Sequence, residues 1–194
     1  MTVEDYKELL KGRLDEKRYY HSLCVADEAR RLAEKYGGDP EKMYLAGLLH
    51  DCTKRMPDNE QLQLFQRFGI ILTAVEKASP QIWHAMSGAL FVKESLDICD
   101  DDIISAIRYH TTGKAAMTLS QKIVYLADLT SADRNYPDVE EIRRLSNVGL
   151  ECAIFEVLKF TVNNMSGSGK PLHPDTLDAY NELAVKFKEN GDEN

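Results

Sequence analysis

The apolar residues of this sequence recur at three- and four-residue intervals along almost its whole length, a spacing that calls for helices packed on helices. Val3, Tyr6, Leu9, Leu10 and Leu14 form one such stripe. It is opened by Thr2 with Asp5 three residues on, a pair in which each side chain can cap the other's backbone N–H. A second helix is predicted from about Lys17 to Tyr36, stopped by Gly37-Gly38. Asp39-Pro40 then reads as an N-cap with proline at the first helical position, where its missing N–H costs nothing. Pro57-Asp58 opens another helix, with Gln61 placed to complete a cap on Asp58. Pro80 opens a segment running to Leu96, and Asp100 to His110 is a further helix that breaks at Thr111-Thr112-Gly113. Thr118 with Gln121 caps the helix leading to Asp128. After a loop around Asp133 to Pro137 come helices near Val139–Asn147, Leu150–Asn163 and Asp175–Lys188. Ser166–Lys170 (SGSGK) reads as a flexible joint before the last of them. No run alternates with the two-residue period of a strand, so the expected class is all-α, one domain, without internal repeats.

Composition narrows what such a chain can do. At 194 residues it is long enough to bury a proper core. The 32 Asp and Glu against 24 Lys and Arg leave a formal charge of −8. That balance argues against nucleic acid as a partner, because phosphate neutralisation needs a basic surface. A small phosphorylated molecule stays open, since a bound cation can supply local positive charge. Cys24, Cys52, Cys99 and Cys152 are scattered with no CxxC pair, which favours a reducing cytoplasm over a disulfide framework. The charged N-terminal segment lacks the apolar core of a signal peptide, and no stretch reaches the roughly 18 apolar residues of a membrane span.

The chemistry lies in a set of ionisable residues on apolar helix faces. His21 shares a face with Val25, Ala29 and Leu32; His50 follows Leu45, Leu48 and Leu49 with Asp51 beside it. His84 adjoins Trp83 on the face of Gly88 and Phe91, His110 continues the stripe of Ile103 and Ile107, and Asp128 follows Val124 by one turn. A single histidine on such a face is more often a hydrogen-bonded core residue than a ligand. Six groups together would cost several kcal/mol if buried without partners. A metal centre resolves that cost by drawing imidazoles and carboxylates around a compensating cation.

His50-Asp51 is the adjacent pair that names the HD superfamily of metal-dependent phosphohydrolases, and the order His21, His50-Asp51, His84, His110, Asp128 resembles the ligand set of its two-metal members. RYYHSLCVADEARRLAEKYG, AGLLHDCTK, IRYHTTG, KIVYLADLTSADRNYPDVEEIR and LHPDTLDAYNEL resemble, more narrowly, the YqeK family of symmetrical bis(5′-nucleosyl)-tetraphosphatases, from about His21 to Asn181. The resemblance implies an HD-domain helical bundle spanning 1–194 as a single domain, with a metal-site core of about 17–135 and C-terminal helices of about 138–190. It implies hydrolysis of diadenosine tetraphosphate to two ADP by a metal-bound hydroxide. His21, His50, Asp51 and Asp128 would hold one metal, and Asp51, His84 and His110 the other. Iron is the expected metal, with manganese or cobalt as substitutes, and imidazole–carboxylate ligands suit these better than magnesium or calcium.

Lys54 resembles the family's phosphate-contacting lysine, and Arg134 stands in a comparable role; both could stabilise charge developing on the transferred phosphate. With Asp51 they form the expected catalytic set. Arg18, Thr111, Thr112, Gly113 and His173 are the further candidate substrate contacts, each with a plain alternative. Arg18 can face solvent, the Thr111–Gly113 turn can simply end its helix, and His173 can close the rim of the site or cap the last helix. One departure stands out: after the metal aspartate the family reads Glu-Pro-Asn-Arg, whereas this chain has Ser131-Ala132-Asp133-Arg134. That change puts loop geometry and substrate preference in question. It keeps open another HD nucleotide phosphohydrolase, of the 5′-nucleotidase or guanosine tetraphosphate hydrolase type. A non-catalytic nucleotide-binding module is a further alternative. A homodimer is plausible, with Ile70, Ile71 and Leu72 either serving it or packing in the core.

Overall fold

Caps set where most of the helices begin. The computed structural model describes residues 1–191, in which eleven α-helices follow one another and no strand occurs. They are α1 (Val3–Arg13), α2 (Glu16–Tyr36), α3 (Pro40–Leu49), α4 (Asp58–Arg67), α5 (Ala74–Lys77), α6 (Trp83–Ser95), α7 (Asp101–Tyr109), α8 (Leu119–Thr130), α9 (Val139–Ser146), α10 (Leu150–Gly167) and α11 (Pro174–Gly191). Thr2 and Asp5 exchange both hydrogen bonds of a capping box on α1, and Thr118 and Gln121 do the same on α8. Asp39 and Asp100 each accept two backbone N–H groups at the starts of α3 and α7. Gly37 ends α2 in the left-handed conformation, at φ +79°, which a Cβ would disfavour.

Three local expectations are corrected. Gln61 does not cap Asp58: α4 starts after Pro57 without a side-chain cap, and Gln61 turns inward, donating to the Met56 carbonyl and accepting from Ser87 Oγ. Burial won over capping because that amide satisfies two interior groups at once. Pro80 opens a single 3-10 turn, Pro80–Ile82, before α6 begins at Trp83. Ser166 and Gly167 belong to the end of α10, so helix propagates into the first half of the expected joint and turns only at Ser168-Gly169. The short helix α5 is an element the periodicity could not reveal, being one turn long.

The layout is a bundle built around α2, α3, α7 and α8. α2 lies along α3 and against α8; α7 packs on α3, α6 and α8; α10 joins α8, α9 and α11. Close approach of α2 and α3 depends on Gly47: a Cβ there would stand 2.9 Å from the Val25 carbonyl oxygen and 3.0 Å from Ala26 Cα. One apolar cluster runs from Tyr6 in α1 to Leu183 in α11. Leu32, Leu48, Leu49, Ile107, Ile123 and Leu126 are fully buried in it, each such side chain stabilising the fold by about 1.5–3 kcal/mol. A second, smaller cluster of Phe65, Leu72, Trp83 and Met86 supports α4 and α6. Leu72 thus packs inside, whereas Ile71 is 89% exposed. No helix of the described residues is long and apolar enough to cross a membrane.

Candidate metal centre

Five helices deliver side chains to one buried spot. His21 comes from the second turn of α2, His50 and Asp51 from the turn ending α3, His84 from α6, His110 from the end of α7 and Asp128 from α8. Their ligand atoms form three overlapping groups, each within 4.8 Å: His21, His50 and Asp51; His50, His110 and Asp128; Asp51, His84 and His110. The four imidazoles stand in a row, His21–His50–His110–His84, with successive ring centres 5.2, 4.9 and 5.1 Å apart.

Three of these rings are anchored through Nδ1. His50 Nδ1 lies 2.6 Å from the Gly47 carbonyl, His110 Nδ1 2.7 Å from the Ile107 carbonyl, and His21 Nδ1 2.8 Å from Asp133 Oδ2. Carbonyls and carboxylates only accept, so each Nδ1 donates. Each Nε2 is thereby turned to the centre, where that of His21 meets Asp128 Oδ1 at 2.9 Å. His50 Nε2 is fully buried and has no hydrogen-bond partner among the described residues, a cost a cation would remove. His84 is pushed down to about 4, chiefly by burial, so it is a neutral imidazole near pH 7.

Asp51 sits between two sets of rings. Its Oδ2 faces His50 Nε2 at 3.4 Å, while its Oδ1 faces His84 Nε2 at 3.1 Å and His110 Nε2 at 3.7 Å. Burial alone would raise this carboxyl, but His50, His110 and His84 outweigh it and hold the group well below the usual carboxylate range. Asp128 is likewise held down, its burial overcome by the hydrogen bond from His21 and the nearby His50 and Arg134. The neighbouring Cys52 contributes no thiolate, because burial pushes its thiol up to about 12. Converging imidazoles, ionised carboxylates and an unpartnered buried nitrogen fit a divalent metal site.

The same residues fall within a recognised sequence pattern: the HD domain family model matches residues 18–133, from the start of α2 through the loop after α8. The chain belongs to the HD domain family. It is 36% identical over 183 residues to the symmetrical bis(5′-nucleosyl)-tetraphosphatase of Bacillus subtilis, covering 94% of this chain and 98% of that one. The Staphylococcus aureus protein of the same name is also 36% identical, over 93% of this chain and 94% of its own. Among solved structures, a predicted HD superfamily hydrolase involved in NAD metabolism from Clostridium acetobutylicum superposes with a TM-score of 0.93. It is 33% identical and covers 96% of this chain and 98% of that one.

Three cations border the HD pair and its partners. Arg18 Nη1 donates to Asp51 Oδ2 at 2.7 Å, Lys54 Nζ lies 3.2 Å from both ring nitrogens of His84, and Arg134 donates to the backbone and carboxylate of Asp128. Burial holds the Lys54 ammonium below the usual lysine range, with Asp51 working the other way. The Thr111–Gly113 turn follows His110 directly. Thr111 Oγ1 is buried without a partner among the described residues, Thr112 Oγ1 donates to the Gly113 carbonyl, and Gly113 takes φ +61°. His173 lies away from the imidazole row: its Nδ1 accepts from the Asp175 N–H at the start of α11 and its Nε2 stands 3.6 Å from Glu76.

Sequence reasoning passed over three residues that shape this HD site. Asp133 orients His21. Arg143 holds the loop between them, donating to the carbonyls of Thr130, Ser131 and Arg134. Glu76 meets His173 across the fold. The departure at Ser131–Asp133 was the one available signal for Asp133; Arg143 and Glu76 sit in ordinary amphipathic patterns that carry none.

Proposed function

We propose that the chain hydrolyses dinucleoside tetraphosphates, diadenosine tetraphosphate foremost, to two nucleoside diphosphates. The observation that carries this reading is the buried six-residue centre, set in a chain alike over nearly its whole length to proteins named symmetrical tetraphosphatases. His21, His50, Asp51 and Asp128 would hold one metal and Asp51, His84 and His110 a second. The two Asp51 oxygens, turned to different rings, support its bridging place. Iron, with manganese or cobalt as substitutes, suits this donor set. When bound, such ions lower the pKa of a coordinated water and polarise the phosphoryl oxygen under attack.

The chain's own part is to place and neutralise the substrate. Arg134 lies at the His21 end of the imidazole row, Lys54 at the His84 end, and Arg18 beside Asp51 between them. Cations toward both ends and a scissile position in the middle match a four-phosphate chain cut at its central bridge. Arg18, Lys54 and Arg134 would oppose the charge that builds on the phosphates as that bond breaks. Thr111, Thr112 and Gly113 would meet the phosphate chain beside His110, with His173 at the rim. Buried carboxylates and neutral imidazoles leave no side chain needed as nucleophile.

Chromatography of products tests the reading. Protein loaded with iron, cobalt or manganese should turn diadenosine tetraphosphate into ADP alone. Formation of ATP with AMP would overturn the symmetrical cut, and an untouched substrate beside turnover of another nucleotide would overturn the substrate.

A further inference from the structure

His21 differs from the other ordered imidazoles in what fixes it. His50 and His110 donate Nδ1–H to backbone carbonyls of their own helices, three residues back. His21 instead meets a carboxylate brought from 112 positions away, Asp133 Oδ2 at 2.8 Å. Asp133 is itself anchored: the fully buried Ser131 donates from Oγ to Asp133 Oδ1 at 2.7 Å. The backbone on either side is clamped by Arg143 through the Ser131 and Arg134 carbonyls. Each carboxylate oxygen therefore has its own donor, and the direction of the Asp133–His21 bond is set.

We propose that Asp133, seated by Ser131, is a positioning residue that locks His21 with its proton on Nδ1 and strengthens its Nε2 as a metal donor. The proposal rests on the metal-dependent reading of the centre and adds to it an oriented Ser131–Asp133–His21 relay. A carboxylate behind a ligating imidazole fixes ring and tautomer and raises ligand basicity, and its loss weakens metal binding roughly 10- to 100-fold. Ser131 and Asp133 are both positions at which the chain departs from the Glu-Pro-Asn-Arg pattern, and here the two departures bond to each other.

The test uses zinc as a diamagnetic probe of the full chain. Zinc affinity is measured by competition with a chromophoric chelator, and the His21 tautomer by long-range 1H–15N correlation spectra. Asp133→Ala is expected to weaken zinc roughly 10- to 100-fold, and to remove the single Nδ1–H signature of His21. Asp133→Asn, whose amide oxygen still accepts the Nδ1–H, is expected to keep the tautomer with a smaller loss of affinity. Ser131→Ala, which keeps the carboxylate but frees it, is expected to give a smaller loss and remains available should Asp133→Ala not fold. A purely structural role would lower melting temperature without altering the tautomer. Unchanged zinc affinity with an unchanged His21 tautomer in Asp133→Ala overturns the proposal. If the wild-type protein leaves diadenosine tetraphosphate intact while Asp133→Ala shows both losses, the hydrolase reading falls and the role of Asp133 stands.

Discussion

Asp51 is the residue with most at stake, a buried carboxylate surrounded by imidazole nitrogens. Breaking a buried charged contact by removing one partner leaves the others uncompensated, at about 3–5 kcal/mol. Asp51→Ala is therefore expected to abolish turnover and lower bound metal, measured by elemental analysis of the purified protein; normal turnover with full metal would sink the bridging scheme. Lys54 acts at a different point. Its ammonium stands beside His84 without contributing a lone pair, so Lys54→Ala is expected to keep the metal while slowing hydrolysis about 100- to 1,000-fold, as loss of a charge-stabilising donor does. Equal losses of metal and rate in that variant would mark Lys54 as structural instead.

At the level of elements, the site is held at two joints. The first is the contact between α2 and α3, where Gly47 lets backbone meet backbone. Gly47→Ala must push the helices apart and should destabilise the protein by about 1–3 kcal/mol, read as a lower midpoint in denaturant unfolding. The second joint is Glu76, which caps α5 through Thr73 and faces His173 at the start of α11. Burial would raise this carboxyl, but its bonds from Thr73 and the nearby His173 overcome that and lower it below its ordinary value. A group depressed in the folded state stabilises above its unfolded pKa, near 4.5, and that stabilisation is lost as pH falls through the lower folded value. Glu76→Gln, which keeps an acceptor for the Thr73 N–H but removes the charge facing His173, should thus melt slightly earlier than wild type at pH 7, with the gap closing in acid. A gap of constant size from pH 7 to pH 3 would refute that account.

For the whole molecule, metal binding and folding should be linked, because the candidate ligands come from five separate helices that only the fold assembles. Chelator-treated protein should melt at a lower temperature, and added manganese or cobalt should restore the loss. At a metal concentration 100 times the dissociation constant the stabilisation is about 2.7 kcal/mol. The effect should reach residues beyond the match at 18–133, since Thr176 in α11 donates to the Thr112 carbonyl in the turn after His110. Slower amide exchange in the first turn of α11 on metal addition would record that coupling.

Much of this protein is written locally. Caps such as Thr2–Asp5 and Thr118–Gln121 involve groups three residues apart, so the sequence alone determined where those helices start. The 3.6-residue stripes likewise determined the all-α class, and the six ionisable groups set among those stripes point to a metal centre. What the stripes could not convey is who meets whom. Gln61 looked like a cap and became an interior link to Ser87, because its partner lies on another helix. Asp133 looked like a departure in a loop and instead meets His21, 112 positions away. Periodicity records which face of a helix is apolar, but the relation between distant faces is set by packing, at close approaches such as Gly47 against Val25 and Ala26. The seating of His21 against Asp133 and the two-sided placement of Asp51 follow from that packing, and only the tertiary structure decided them.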